Sequence, residues 1–452
     1  MAREMTNSTK LWIGEIPSHW ELKRIKNIIQ PSKDGIKIGP FGSALTNKTI
    51  GEGEYNVYSQ ANLIASDFSS TKNTIDSDTF EELKNYEVFP DDICLSMMGT
   101  IGKCKKVPAG ISRGIMDSHL IKIRLSESVD SRFFEYVYDK DYGGVCFAQM
   151  QYDKKGFIMD GLNTSIVKNL YFPLPPIDEQ VLIANYLDFE CARIDAVIEQ
   201  TRASIEEYKK LKQSIITEAV TKGIRPNRPM KDSGIDWIGQ IPDDWGMPKM
   251  NSVCSVITDY VASGSFASLA ENVEYLDEPD YAMLIRTADI SEKGYAPKPV
   301  YISKHAYDFL KNSNLFGGEL MLPNIGASVG DIYIVPKLYE RMSLAPNAIM
   351  VKTRYVNRFY YYYFLGKPGR LSIEDIAQST AQAKFNKTDF RQLRVPLPSK
   401  EEQLEIAAYL DEKTMKVDAL IAKKEKFLAE MESYKKSLIF EYVTGKKEVG
   451  TI

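Results

Sequence analysis

One segment of the chain occurs twice in a fixed frame. Residues 171–188, YFPLPPIDEQVLIANYLD, return at residues 394–411 as RVPLPSKEEQLEIAAYLD, 223 residues later. The offset then holds without a gap as far as Thr221 and Thr444, over some 50 residues. An uninterrupted frame of this length indicates an internal duplication, so the fold must accommodate two like units.

A shorter repeat marks the start of each unit. WIGEIPSHW at residues 12–20 returns as WIGQIPDDW at residues 237–245, 225 residues later. The interiors diverge: GPFGS at residues 39–43 has no counterpart in the second unit, although residues 92–102 resemble 319–330 and Asn163 matches Asn386. Units that share their ends and their frame, but differ inside, are typical of modules that do one job on two targets.

Each copy of the long repeat is predicted to be a strand end followed by one long helix. The Pro-Leu-Pro run ends a strand, because proline removes a backbone donor and keeps its predecessor extended. Asp178-Glu179 and Glu401-Glu402 would then lie in the first helical turn, where the helix dipole favours acids. Apolar residues follow in steps of seven, four and three, as in a coiled-coil seam, at Leu187, Ile194, Ile198, Ile205, Tyr208 and Ile215, and at Leu410, Val417, Ile421, Leu428, Met431 and Leu438.

Two long helices with matched seams are expected to pack on each other. A helix of about 40 residues spans about 60 Å, and alone it would leave its seam in water. A parallel pairing is possible, but no short turn can join helices that are so far apart in sequence. An antiparallel pairing would place the two intervening domains at opposite ends, related by a pseudo-two-fold axis. The alternative is that each helix buries its seam against its own domain.

Bulk composition limits the class of protein. The 452 residues suffice for two domains of about 150 residues with connecting elements. No run approaches the roughly 18 uncharged apolar residues of a membrane span, and the first residues lack the apolar core of a secretion signal, so we expect a cytoplasmic protein. A net charge of −4 argues against a non-specific nucleic-acid coat. A sequence reader remains possible, because it needs basic side chains only where it meets phosphates.

Motifs for catalysis and for metal binding are missing from the sequence. GTIGKC at residues 99–104 lacks the spacing of a phosphate-binding loop, and GPFGS lacks that of a dinucleotide site. Neither a nuclease pattern at residues 279–293 nor a G-x-S-x-G elbow is present. Five scattered cysteines and three histidines make a zinc site unlikely and predict free thiols. We therefore predict a non-enzyme with no metal and no cofactor of its own.

The doubled W-I-G-x-I-P-x-x-W and P-L-P-x-x-x-E-Q motifs resemble those of the specificity (S) subunit of type I restriction-modification systems, over nearly the whole chain. The resemblance implies a mixed α/β (α+β) fold. Two target recognition domains would alternate with two long helices that form an antiparallel coiled-coil spacer in a pseudo-two-fold internal repeat. The domains would be residues 1–177 and 224–399, and the helical spacers residues 178–223 and 400–452.

The resemblance also implies partners. The chain would bind double-stranded DNA, and each domain would read half of a split, asymmetric site. Methylation, with S-adenosylmethionine as cofactor, would belong to two separate methyltransferase subunits, and cleavage to restriction-translocase subunits. One rival hypothesis is a scaffold that joins two protein-binding modules without DNA. The other, a fused methyltransferase-nuclease, would need the catalytic motifs that are missing.

Candidate DNA contacts are loop residues whose side chains suit base edges or phosphates. Asn and Gln suit adenine, Arg and Lys suit guanine, and Ser and Thr suit phosphates. In the first unit these are Lys37, Ser43, Gln60, Asn62, Thr100, Lys103, Gln149, Gln151, Tyr152, Lys154 and Lys155. In the second they are Arg286, Thr287, Asn324, Ser328, Gln378, Thr380, Gln382 and Lys384. Each of them alone is more often a solvated polar residue.

Two further patterns bear on function. The run FYYYYF at residues 359–364 is expected to pack in a core, because six adjacent aromatic residues cover every face of a helix; base stacking is the alternative. Glu179-Gln180 and Glu402-Gln403 recur in the same place, as expected if two copies of one methyltransferase subunit dock there. The alternative is that these four residues cap their helices.

Overall fold

The computed structural model describes residues 3–41, 44–45, 50–51, 53–69, 71–153, 161–290, 298–377 and 383–450. The chain divides into two compact units. Unit 1 contains residues 1–202 and 426–452, and unit 2 contains residues 203–425. We call the predicted recognition domains module 1 (residues 1–177, within unit 1) and module 2 (residues 224–399, within unit 2).

Module 1 is built from short strands and short helices. Its strands are Met5–Asn7, Glu15–Pro17, Glu21–Arg24, Ile36–Ile38, Tyr55–Tyr58, Thr74–Ile75, Ile93–Ser96, Cys104–Lys106, Gly114–Met116, Leu120–Ile123 and Tyr171–Leu174, and its α-helices are Gln60–Ala65, Ser77–Leu83, Ser131–Tyr138, Val145–Asp153 and Thr164–Asn169. Four strands form an antiparallel sheet in the order Ile36–Ile38, Leu120–Ile123, Ile93–Ser96, Cys104–Lys106. A second sheet has the order Thr74–Ile75, Tyr55–Tyr58, Gly114–Met116, and its last two strands are parallel.

Module 2 contains a similar arrangement, with one additional strand in its second sheet. Its strands are Met230–Asp232, Gln240–Pro242, Cys254–Asp259, Ala282–Ile285, Tyr301–Ile302, Asn314–Leu315, Leu320–Pro323, Tyr333–Ile334, Met342–Leu344 and Ala348–Thr353, and its α-helices are Met250–Val253, Phe266–Asn272, Thr287–Ile290, Lys304–Phe309, Asn357–Leu365, Lys367–Ile376 and Lys387–Gln392. One sheet has the order Cys254–Asp259, Ala348–Thr353, Leu320–Pro323, Tyr333–Ile334, and the other the order Tyr301–Ile302, Ala282–Ile285, Met342–Leu344, Asn314–Leu315. Ala282–Ile285 and Met342–Leu344 are parallel, like their counterparts in module 1.

The two modules therefore share a topology although their interiors differ in sequence. The predicted match of residues 92–102 with 319–330 falls on Ile93–Ser96 and Leu320–Pro323, which hold the same place in their sheets. The predicted match of Asn163 with Asn386 is confirmed as well. Asn163 Oδ1 accepts a hydrogen bond from Ile166 N, and Asn386 Oδ1 accepts one from Asp389 N, both over 2.9 Å.

The predicted long helices span Ile177–Lys222 and Lys400–Val443, hereafter the first and second long helix. In unit 1, Asp195 of the first pairs with Lys435 of the second over 2.6 Å. In unit 2, Lys212 of the first pairs with Asp418 of the second over 2.7 Å. Because later residues of one helix meet earlier residues of the other in each unit, the helices run antiparallel, as predicted.

The predicted seam is largely buried. None of its twelve residues is exposed, and Leu187 and Leu410 are fully buried. The alternative, that each helix packs on its own domain, holds for the start of the first long helix. Ile183 and Leu187 join the core of module 1, together with Leu438 and Ile439 from the second long helix.

The remaining fold predictions concern the aromatic run and the cysteines. In Asn357–Leu365 all of the run except Tyr361 is buried, so the core interpretation is confirmed. The five cysteines are buried free thiols. Within the described ranges no helix is both long enough and apolar enough to cross a bilayer.

Candidate functional site

Four strands of module 1 end at one place, which we call strand-end site 1. They are Ile36–Ile38, Tyr55–Tyr58, Ile93–Ser96 and Gly114–Met116. Backbone hydrogen bonds join the residues beyond them: Asp117 N donates to Tyr58 O over 2.8 Å, Met97 N to His119 O over 2.9 Å, and Leu162 N to Met97 O over 2.7 Å. The side chains that follow these strands are thereby held close together.

Strand-end site 1 brings two of the predicted residues together. Gln60 begins a helix directly after its strand, and a Cβ on Gly99 would lie only 3.7 Å from the Gln60 Nε2 atom. Gln60 thus lies beside the loop that carries Thr100. Both side chains are half-buried, so each retains surface for a ligand.

Asp117 and His119 belong to the same site, and the sequence analysis missed both. Asp117 Oδ1 accepts a hydrogen bond from His119 N over 2.9 Å, and the imidazole of His119 is half exposed. Burial raises the pKa of Asp117 above its usual value. A Cβ on Gly39 would come within 1.8 Å of Asp117 O, so only glycine lets the backbone at residue 39 approach this turn. In the sequence, Gly39 was the one feature that could have pointed to this turn.

Module 2 has the equivalent strand-end site 2. Ala345 N donates to Ile285 O over 2.9 Å, Asn324 N to Asn347 O over 3.1 Å, and Phe385 N to Asn324 O over 3.1 Å, which matches the three bonds of module 1. A cavity of about 400 Å³ lies here, and Arg286, Thr287, Ser328 and Asn347 are among its lining residues. The structure thus brings together the predicted residues Arg286, Thr287 and Ser328 and adds Asn347.

Arg286 is held rigidly at the edge of this cavity. Its Nε and Nη2 atoms donate to the Asp289 carboxylate over 3.1 and 2.7 Å, and Nη2 also donates to Lys298 O over 2.7 Å. The hydrogen bond to Asp289 is the largest cause of a raised pKa at Arg286. Among the described residues nothing accepts a hydrogen bond from Nη1.

The two sites share one backbone frame. Ser59 N donates to Asn62 Oδ1 over 3.0 Å in module 1, and Arg286 N donates to Asp289 Oδ2 over 2.8 Å in module 2. Matched through these bonds, the positions pair as Ser59 with Arg286, Gln60 with Thr287, Met97 with Asn324, Asp117 with Ala345, and His119 with Asn347. All five differ in residue type.

Several other predicted DNA contacts already have partners in the chain. Lys37 Nζ donates to Asp34 over 2.7 Å, and Lys103 pairs with Asp141. Asn62 is buried and bonds Ser59 N and Asp67 O, while Gln149 bonds Asp153 and Tyr171 N. These bonds favour a structural role for the four side chains, although their contact with DNA stays a prediction.

The remaining predicted contacts fall into three groups. Gln151 and Tyr152 are exposed at the end of Val145–Asp153, where the ring of Tyr152 lies 5.0 Å from that of Trp12. Asn324 and the exposed Lys384 lie beside strand-end site 2, where Lys384 forms a backbone bridge to Ile325. Outside the described residues lie Ser43, Lys154, Lys155, Gln378, Thr380 and Gln382.

The repeated Glu-Gln pairs at the helix starts make repeated internal contacts. Gln180 and Gln403 are fully buried, and each accepts a backbone hydrogen bond from its module, from Asp130 N over 2.9 Å and from Val356 N over 3.2 Å. Their Nε2 atoms donate to Pro175 O and to Pro398 O. These bonds favour the alternative that the glutamines anchor the helix starts, whereas partner docking at these positions stays a prediction.

The paired glutamates connect each helix start to the shorter repeat. Trp20 Nε1 donates to Glu179 and Trp245 Nε1 to Glu402, both over 3.0 Å. Arg3 forms an ion pair with Glu179, and Arg228 forms one with Glu402. The two arginines lie 225 residues apart, and so do the two tryptophans. This shared offset is the sequence signal that could have identified the arginines.

Comparison with known sequences places these features in a family. The family described as the type I restriction modification DNA specificity domain matches residues 17–207 and again residues 242–429. The putative type I restriction enzyme MjaX specificity subunit of Methanocaldococcus jannaschii is 26% identical over 459 residues, which cover 98% of this chain and 97% of the relative. The Escherichia coli type I restriction enzyme EcoBI specificity subunit is 22% identical, over 80% of this chain and 75% of the relative.

Solved structures agree with the fold. A chain from a study of complex assembly and conformational transition of the type I R-M system has a TM-score of 0.67 at 16% identity, and the match covers 96% of this chain and 99% of that one. The HsdS subunit from Thermoanaerobacter tengcongensis has a TM-score of 0.50 at 17% identity, with 96% and 98% covered. Two modules that alternate with two long helices are therefore a known architecture.

Proposed function

Because the chain belongs to the family of type I restriction-modification DNA specificity subunits, which recognise DNA and are not catalytic, we propose that it reads a split, asymmetric DNA site with one module on each half. The observation that carries this proposal is that the two modules share a fold but differ in the side chains at their strand-end sites. The modules share their sheet order and strand-end frame, and yet they differ at five matched positions. Such an arrangement suits two readers of different sequences.

In this proposal the long helices set the distance between the two half-sites. A helix of 46 residues is stiff and about 70 Å long. Successive turns of B-DNA lie about 34 Å apart, so the distance between the two modules fixes how many base pairs separate the half-sites. The base pairs between the half-sites are then spanned but not read.

The catalytic work belongs, in this proposal, to partner subunits. Two methyltransferase subunits, which use S-adenosylmethionine, would bind the chain once per repeat and methylate adenine, and restriction-translocase subunits would join through them. The support is the doubled helix start, which offers like surfaces twice. At matched positions of the long helices, Val181 and Leu404 are both exposed, and so are Val197 and Leu420.

The test is to map adenine methylation across the genome of the native host, with and without the gene for this chain. We expect one split, asymmetric methylated motif to disappear with the gene, which would also identify both half-sites. Methylation that is identical in both strains would contradict the proposal if the chain is expressed and co-purifies with a methyltransferase. Expression without such a partner would favour the scaffold hypothesis.

A further inference from the structure

We propose that the strand-end site of each module is its base-reading site, that Arg286 reads a guanine in the half-site of module 2, and that Asp117 with Gln60 reads a base with an exocyclic amino group in the half-site of module 1. This inference rests on the proposed function and specifies it further. It names the side chains that select bases and the class of base that each selects.

The first argument is the contrast between structural and divergent positions. Several side chains that have the same structural role in both modules are of the same residue type. The capping residues Asn163 and Asn386 are an example, and Trp20 and Trp245 are another. The five matched strand-end positions share backbone bonds, which do not depend on the side chain, and they differ in residue type, so the common frame leaves their side chains able to differ in chemistry.

The second argument is that the side chain of Arg286 is preorganised for binding. The Asp289 carboxylate binds Nε and Nη2, and Lys298 O binds Nη2, so the guanidinium is fixed before any ligand arrives. Arg286 lines a cavity of about 400 Å³, and its Nη1 group, which donates to no described residue, can donate to one acceptor there. Guanine presents two acceptors, O6 and N7, in the major groove, and arginine is the residue that most often reads them.

The third argument is the different chemistry of strand-end site 1. Asp117 offers a carboxylate where module 2 has Ala345, and Gln60 offers an amide where module 2 has Thr287. A carboxylate accepts hydrogen bonds from the N4 amino group of cytosine, and a glutamine amide bonds the N6 and N7 atoms of adenine. Site 1 therefore favours a base that presents its exocyclic amino group in the major groove, which is adenine or cytosine.

The test uses the full chain, co-expressed with its methyltransferase, and maps the methylated motif for single variants. Arg286→Gln removes the charge, and Arg286→Lys keeps the charge but not the planar fork. We expect both to relax one guanine position in the half-site of module 2, with a loss of discrimination of roughly 5- to 150-fold. Asp117→Asn, which is isosteric, should relax one position in the half-site of module 1 only.

Matched controls lie at the opposite ends of strands that lead to the same sites. The control variants are Arg341→Gln, at the residue before Met342–Leu344, and Asp91→Asn, two residues before Ile93–Ser96. Asp91 is exposed and Arg341 is half-exposed. We expect these two variants to leave the motif unchanged.

The outcomes separate the two levels of the proposal. If the unaltered chain directs no split motif, the proposed function fails. If it does, and Arg286→Lys and Asp117→Asn direct the parent motif at parent discrimination, the assignment of the base-reading site is wrong. Arg286→Gln could also unfold module 2, which would lower its thermal midpoint below that of the parent; Arg286→Lys and the independent Asp117→Asn variant then decide the inference.

Discussion

Glu179 and Glu402 explain why the two repeated motifs recur together. Each glutamate lies in the first turn of a long helix and accepts a hydrogen bond from the last tryptophan of the shorter repeat. Each also pairs with an arginine that lies nine residues before the first tryptophan of that repeat. A change in any one of these residues would remove a hydrogen bond or an ion pair from the others, which accounts for the recurrence of the whole set in both copies.

Removal of the Glu402 carboxylate should destabilise unit 2 strongly. Glu402 is only 2% exposed and is bound by Arg228 and Trp245. We expect Glu402→Ala to lower the free energy of unfolding by about 1–3 kcal/mol, because it leaves the buried Trp245 N–H without an acceptor and leaves Arg228 with Asp244 as its carboxylate partner. Urea unfolding followed by tryptophan fluorescence measures this. The neighbouring exposed residue supplies the control, Glu401→Ala, for which a change within about 0.5 kcal/mol is expected.

Glu179 should make unit 1 sensitive to acid. Although burial alone raises its pKa, the hydrogen bonds from Arg3, His19 and Trp20 lower the pKa below the usual value of 4.5. A depressed pKa in the folded state contributes stability that is present above pH 4.5 and is lost as the pH falls through the folded pKa. We expect the urea midpoint to fall over this range, and to fall less steeply in Glu179→Gln. Equal slopes for the two proteins would contradict the prediction.

At the scale of elements, the sequence was most informative about the long helices. Their seam could be predicted because a heptad pattern is a local property of the sequence, and an apolar stripe of that length needs a partner. The strand-end sites were only partly predictable. Arg286 and Gln60 follow strands at the starts of short helices, in polar stretches of the sequence. Asp117 and His119 enter their site through backbone bonds to distant strands, which no local pattern records.

Lengthening both helices should lengthen the unread gap in the DNA site. Seven residues inserted after Ala203 and seven after Lys426 add about 10 Å to each helix and rotate the seam by only about 20°. We expect the gap between the half-sites to grow by about three base pairs, at 3.4 Å each, with both half-sites unchanged. Methylation-motif mapping of the double insertion would measure the gap, and an unchanged gap would refute the role of the helices as a spacer.

An insertion in one helix alone is the control for the lengthened spacer. It would shift one seam against the other and separate Asp195 from Lys435 or Lys212 from Asp418. We expect a lower thermal midpoint than that of the double insertion.

At the scale of the whole molecule, the duplication predicted two modules and two helices, but not how contacts group them. Each compact unit combines one module with parts of both long helices. In unit 1, a Cβ on Gly445, just past the second long helix, would lie 3.0 Å from Trp20. In unit 2, a Cβ on Gly223, just past the first, would lie 3.2 Å from Trp245. This grouping results from packing between segments that are distant in sequence. The offset between the two repeats does not tell which copy supplies each contact.

The ion pairs between the helices bear on how such a chain arose. Asp195 and Lys212 of the first copy correspond to Asp418 and Lys435 of the second, and each pair joins an aspartate of one copy to a lysine of the other. One copy therefore carries both halves of the contact, so two separate identical copies can make it across a two-fold axis. Such a dimer would recognise a palindrome. Fusion of the two copies into one gene removes that symmetry, because each module can then mutate alone while the helices keep their pairing.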